Sequence, residues 1–76
     1  MVATRITAME LRYGDVLLLG ANSAVGPFVG ANDPYALRRI VSQARLLNGK
    51  VVVWLVDGTG QPSLTLEPTL PLEVYR

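Results

Sequence analysis

The fold depends on residues 40–56, IVSQARLLNGKVVVWLV, in which Asn48-Gly49 separates two apolar arms. Asn-Gly is the strongest two-residue signal for a β-hairpin, because both residues accept the positive φ of a type I′ turn. Pairing the arms across this turn sets Leu47 opposite Lys50. The segment therefore predicts an antiparallel hairpin.

Alternation along the hairpin divides its side chains between two faces. One face is almost entirely apolar and is predicted to join the core; it consists of Ile40, Ser42, Ala44, Leu46, Val51, Val53 and Leu55. The other face is mixed and is predicted to lie outside the core; it consists of Arg39, Val41, Gln43, Arg45, Val52, Trp54 and Val56.

The first arm of the hairpin also fits a helix. Asp33 suits an N-cap, Pro34 suits the first helical position, and Gly49 suits the position just past the end. Apolar residues recur at helical spacing at Leu37, Ile40, Val41, Ala44 and Leu47. A helix over residues 34–47 in an α+β fold is therefore the alternative, and periodicity alone does not decide between the two.

Turn signals bracket further short strands on both sides of the hairpin. Gly14-Asp15 predicts a turn before a buried strand at Val16–Leu19. Residues 20–34 hold three glycines and two prolines and predict one long loop, with a short strand around Pro27–Val29. The closing strands are predicted at Ser63–Leu66 and Leu72–Tyr75.

The order of these segments is shared with a known group of proteins. The similar stretches are Leu11-Arg12-Tyr13-Gly14-Asp15-Val16, Val53–Gly58, Leu64–Pro68 and Pro71–Val74. Together they resemble short, uncharacterised SH3-like β-barrel proteins of actinobacteria and their phages. The resemblance implies a mainly β fold, a small SH3-like barrel of about five antiparallel strands with one long loop. It also implies a non-enzymatic, phage-encoded or actinobacterial protein, and it carries over no functional residue.

Composition limits the function classes. Half of the 76 residues are hydrophobic and 17% are charged, against roughly 25% charged in typical domains. We therefore expect one domain over residues 1–76 that leaves apolar surface outside its core, as interaction surfaces do. The net charge of +1 supplies no broad field toward nucleic acid or a membrane. With no long apolar run, the chain is predicted to be cytoplasmic and without membrane contact.

The residue types present exclude several chemistries. The chain has no histidine and no cysteine, so the commonest general base and the usual zinc ligands are missing. Asp15, Asp33 and Asp57 each adjoin glycine or proline, where aspartate is expected to stabilise a turn. We therefore expect no enzyme activity, no cofactor and no metal site.

The candidate site lies on the mixed face of the hairpin. Trp54 is flanked there by Val52 and Val56 and framed by Arg39 and Arg45. Tryptophan and arginine dominate the hot spots of protein interfaces. The predicted function is a protein-interaction or assembly module that buries this surface against a protein partner or a second copy of the chain. The alternative is a nucleic-acid-binding barrel, in which Trp54 stacks on bases while Arg39 and Arg45 contact phosphates.

Overall fold

The computed structural model describes residues 2–20, 26–58 and 60–76. A single turn of 3-10 helix, Ala8–Glu10, follows the first strand. The strands form one antiparallel sheet in the order β1-β6-β2-β3-β4-β5. Their bounds are β1 Ala3–Thr7, β2 Val16–Leu19, β3 Leu37–Leu47, β4 Lys50–Leu55, β5 Leu64–Leu66 and β6 Pro71–Tyr75.

The mainly β prediction is confirmed, and two of its details are wrong. Within the described residues the sheet has six strands rather than about five, because Ala3–Thr7 pairs along β6. It is also open rather than closed into a barrel, since β1 and β5 are its two edges and each has a single neighbouring strand. The radius of gyration is 11.5 Å, close to the ~11.4 Å expected of a folded chain of this length.

The hairpin prediction is confirmed, and the alternative helix over residues 34–47 is wrong. Asn48 and Gly49 have φ angles of 51° and 76°, as a type I′ turn requires. Leu47 lies opposite Lys50, as predicted. The strand is favoured over the helix because β2 pairs with Leu37–Ile40 and β4 pairs with Val41 and residues 43–47, so both parts of the arm gain backbone hydrogen bonds.

A β-bulge at Ser42 divides β3 into two parts. Val41 is paired with Leu55, but the next pair along the ladder is Gln43 with Trp54. Ser42 is therefore an extra residue without a partner on β4. An extra residue of this kind bends its strand and shifts the alternation of side chains by one. The first part of β3 consequently pairs with β2 while the second part pairs only with β4.

The bulge corrects the predicted faces of the hairpin. Val41 is fully buried, whereas Ile40 is 48% exposed, so the predicted outer position of Val41 and core position of Ile40 are wrong. Arg39 changes face together with Val41, because residues two apart on a strand point the same way. Past the bulge the prediction holds for Ala44, which packs against the core, and is wrong for Leu46, which is exposed.

The core lies on the inner face of the bent sheet and draws on every strand. Phe28, from the segment between β2 and β3, packs against it. Its buried members are Ile6, Ala8, Leu11, Leu17, Val41, Val51, Val53, Leu55, Leu66, Leu72 and Val74.

The described part of the connection between β2 and β3, residues 26–36, is tied to β6 by hydrogen bonds. Residues 21–25 of the predicted loop lie outside the described residues. No strand forms around Pro27–Val29, so that prediction is wrong; the Phe28 carbonyl instead accepts a hydrogen bond of 2.8 Å from the Glu73 backbone N–H. This bond uses the backbone N–H of the residue next to Val74, which is the last residue of β6 that pairs with β2. The side chain of Glu73 also accepts a hydrogen bond from Ala31 N–H at 2.9 Å.

Candidate interaction surface

The alternation of β4 places three predicted site residues on the outer face of the sheet. Val51, Val53 and Leu55 are buried, so Val52, Trp54 and the following Val56 point the other way. Val52 and Trp54 are half-buried, and Val56 is 56% exposed. Outside the core, therefore, the strand presents a continuous row of apolar side chains.

Ile40 extends this row onto β3. The Val56 backbone N–H donates a hydrogen bond of 2.9 Å to the Ile40 carbonyl, so the two residues face each other across the strands. Both are large apolar side chains that are about half exposed. We call Ile40, Val52, Trp54 and Val56 the outer patch.

Polar neighbours of the outer patch follow from the register of β3 against β4. Gln43 is opposite Trp54, and Arg45 is opposite Val52. Arg45 is exposed and forms no ion pair within residues 2–20, 26–58 and 60–76. Its cationic group therefore lies beside the apolar row.

Arg39 does not belong to the outer patch, contrary to the prediction. Because the bulge reverses the alternation, Arg39 shares the face of Val41 rather than that of Trp54. Its guanidinium makes an ion pair with the Asp57 carboxylate at 3.2 Å, between two side chains that are largely exposed. Arg39 therefore neutralises the turn after β4 rather than framing Trp54.

Each of the six carboxylates accepts a hydrogen bond or forms an ion pair within the fold. Glu10 accepts from Thr7, Asp33 from the Tyr35 backbone and Glu73 from the Ala31 backbone. Asp57 pairs with Arg39, and Glu67 pairs with Lys50. Asp15 pairs with Arg76. Within the described part of the chain, no three acidic residues come together as metal ligands.

Asp15 is the most buried of these carboxylates, at 5% exposure. Its oxygens accept hydrogen bonds from the Arg12 backbone N–H at 3.0 Å and from Arg76 Nε at 3.0 Å. Arg76 also donates to the Glu10 carbonyl at 2.8 Å. The hydrogen bond to Asp15 raises the pKa of Arg76 above its ordinary value, despite the opposing effect of desolvation. This network is structural, because it holds the turn before β2 against residues 10 and 76.

The backbone of this turn is fixed to the bulged part of β3. Gly14 N–H donates to the Val41 carbonyl at 2.9 Å, and Val41 N–H donates to the Asp15 carbonyl at 2.8 Å. Gly14 has a φ of 88°, a conformation that glycine adopts without strain. The predicted Gly14-Asp15 turn is thus confirmed, and it contacts the strand at the residue next to the bulge.

Two features of the outer face were missed by sequence reasoning. Ile40 could have been found from the adjacent apolar residues Ile40-Val41, since two neighbours of this kind break a period of two. The second feature is a cation–π contact, in which the Arg38 guanidinium carbon lies 5.2 Å from the centre of the Tyr75 ring. No local pattern signals that contact, because the two residues belong to different strands.

No helix in the described residues is long and apolar enough to cross a membrane. Comparison with known proteins gives no match among family models, curated proteins or solved structures.

Proposed function

We propose that this chain is a non-enzymatic interaction module that binds a protein partner through the outer patch. The observation that carries the proposal is the exposure of Ile40 and Val56 beside the half-buried Trp54 on the outer face of the sheet. Contiguous apolar surface of this kind is typical of protein contact sites. Trp54 is the expected energetic centre, because tryptophan is enriched among interface hot spots.

An SH3-like architecture is part of this proposal. Strands β2 to β5 follow one another as an antiparallel meander, and β6 returns to pair beside β2. This order, with the bent β3 shared by both halves of the sheet, supports the resemblance to SH3-like proteins. Phage or actinobacterial origin and a cytoplasmic location stay predictions from the sequence.

The charges around the outer patch favour a partner with acidic residues. Arg45 carries a positive charge that no carboxylate in the described ranges neutralises, whereas Lys50, near the hairpin turn, pairs with Glu67. An apolar segment with an aspartate or glutamate beside it would bury the patch and pair with Arg45. A second copy docked about a two-fold axis would bring the same surface, and hence the same positive charge, against itself.

The geometry favours protein over nucleic acid as the ligand. The nucleic-acid alternative needs Arg39 and Arg45 on the face of Trp54, but Arg39 lies on the opposite face and is paired with Asp57. Arg45 and Arg38 are the arginines that carry no ion pair on the outer face within the described residues, and two such cations supply little of the phosphate contact on which nucleic-acid affinity depends. The engagement of every carboxylate in the fold likewise supports a non-enzymatic role.

Selection from a displayed library of random peptides tests the proposal without a known partner. We expect enriched peptides that combine large apolar residues with aspartate or glutamate. Trp54→Ala should weaken their binding by about thirtyfold, the loss of about 2 kcal/mol that marks a hot spot. Val56→Arg should abolish binding as well; since Val56 is exposed, this variant tests the patch even where the loss of Trp54 affects folding.

The matched control is Leu37→Arg, which places the same side chain at an exposed position outside the outer patch. Peptides whose binding survives Val56→Arg, or is lost equally with Leu37→Arg, would refute the patch. Light scattering that shows a dimer dissociated by Val56→Arg would replace the partner with a second copy. Binding to 20-nucleotide DNA or RNA that depends on Arg45 and falls steeply with salt would replace protein with nucleic acid.

A further inference from the structure

A small depression lies on the outer face of the sheet, under the turns that precede β3. Its volume is about 320 Å³, at the lower end of the range for small-molecule sites. Gly30 and Ala36 close one side of it, and the neighbouring turns form its rim. The other lining residues are Leu18, Ala31, Asn32, Asp33, Pro34, Arg38 and Tyr75.

The depression combines apolar surface with one available positive charge. Leu18 is buried and apolar, and the Tyr75 ring is half-buried. The Arg38 guanidinium lies 5.2 Å from the centre of that ring, and within the described residues it forms no ion pair. A guanidinium stacked on an aromatic face keeps the N–H groups at its edge free to donate to a carboxylate.

The two nearest carboxylates are already bound to backbone N–H groups. Glu73 accepts from Ala31 N–H at 2.9 Å, and Asp33 accepts from Tyr35 N–H at 2.9 Å. The bond from Ala31 ties the rim to Glu73 of β6, and the bond from Tyr35 engages the Asp33 carboxylate within its own turn. Arg38 is therefore the charged group that remains to recognise a ligand.

We propose that this depression binds a carboxylate attached to a small apolar or aromatic body. The carboxylate accepts hydrogen bonds from Arg38, and the body packs against Tyr75 and Pro34. A free organic acid and an acidic side chain of a polypeptide share this chemistry. The site shares no residue with the outer patch and lies beside it on the outer face, since Arg38 and Ile40 are two residues apart on β3.

Titration of the labelled protein with benzoate, followed by two-dimensional NMR, tests the site. We expect shifts confined to residues 30–38 and the Tyr75 region. Benzamide has the same shape without the charge and should bind at least about tenfold more weakly, since charge-assisted hydrogen bonds to arginine are lost. Arg38→Gln should remove benzoate binding, whereas Arg38→Lys should retain part of it because the charge stays but the two-point geometry is lost.

Arg12→Gln is the matched control, because it removes an exposed arginine outside the depression and the outer patch and should leave binding unchanged. Equal affinity for benzoate and benzamide, unchanged binding in Arg38→Gln, or shifts elsewhere on the sheet would overturn the proposal, as would the absence of shifts at tens of millimolar benzoate. N-acetylglutamate amide distinguishes the two sources. Tighter binding than benzoate assigns the site to a polypeptide side chain, and weaker binding assigns it to a free acid.

Discussion

The bulge at Ser42 can be tested by giving two valines the same change. Regular alternation along the hairpin would put Val41 and Val56 on one outer face, whereas the bulge buries Val41 completely and leaves Val56 56% exposed. Valine-to-threonine keeps the β-branched shape and adds a hydroxyl. In Val41→Thr this hydroxyl enters the core, where a polar group without a partner costs about 1–3 kcal/mol. In Val56→Thr it faces water, and we expect a change within about 0.5 kcal/mol.

These magnitudes are large against the total stability expected of the chain. At about 0.05–0.15 kcal/mol per residue, 76 residues give a free energy of unfolding of about 4–11 kcal/mol. With a urea m-value of about 1 kcal/mol per molar, Val41→Thr should lower the urea midpoint by about 1–3 M. The fluorescence of Trp54, the only tryptophan, reports the transition. Equal midpoints for the two variants, or a lower one for Val56→Thr, would refute the bulge and the assignment of faces.

Three further predictions concern the segments around the sheet. Asp15→Asn removes the charge that Arg76 contacts at 3.0 Å and should cost about 1–3 kcal/mol in urea unfolding; an unchanged midpoint would contradict a structural role. Hydrogen bonds from Thr7 lower the pKa of Glu10 from its ordinary value of 4.5. The ionised Glu10 therefore stabilises the fold fully above that pH, and this contribution is lost as the pH falls through the lowered pKa. In thermal melts, Glu10→Gln should reduce the loss of stability on the acid side. In Gly30→Ala the new Cβ would lie 2.9 Å from the backbone nitrogen just past β2, which should lower the melting temperature by several degrees, whereas an unchanged melting temperature would contradict the close approach.

Much of the fold follows from short patterns in the sequence. Asn48-Gly49 predicts the turn type and the register near the hairpin tip, because few residue pairs accept two positive φ angles. Gly14-Asp15 predicts the turn before β2 for the same kind of reason. Alternation predicts β4 correctly, since both of its neighbours leave its ladder regular from residue 51 to residue 53.

What could not be predicted depends on contacts distant in the chain. Val41 is fixed by backbone hydrogen bonds to the turn at Gly14 and Asp15, about twenty-six residues away in sequence, and local periodicity carries no information about such a contact. The role of Glu73 is similar, because it anchors the turns before β3 from the last strand. The edge position of β1 depends on β6 at the other end of the chain. Patterns of period two describe a strand but not its partner.

The bulge changes the charge of the outer face more than its apolar character. Ile40 and Val41 are adjacent and both apolar. Shifting the alternation by one therefore places Ile40 instead of Val41 on the outer face beside Val56, and the row stays apolar. The neighbouring arginines differ in their partners: Arg38 moves to the outer face, where it meets Tyr75, and Arg39 moves to the inner side, where it meets Asp57. A single extra residue thus places Arg38 beside Ile40 on the outer face and sends Arg39 to the other face. The apolar patch and the cationic depression are neighbours that share no residue, and we assign them to two different ligands.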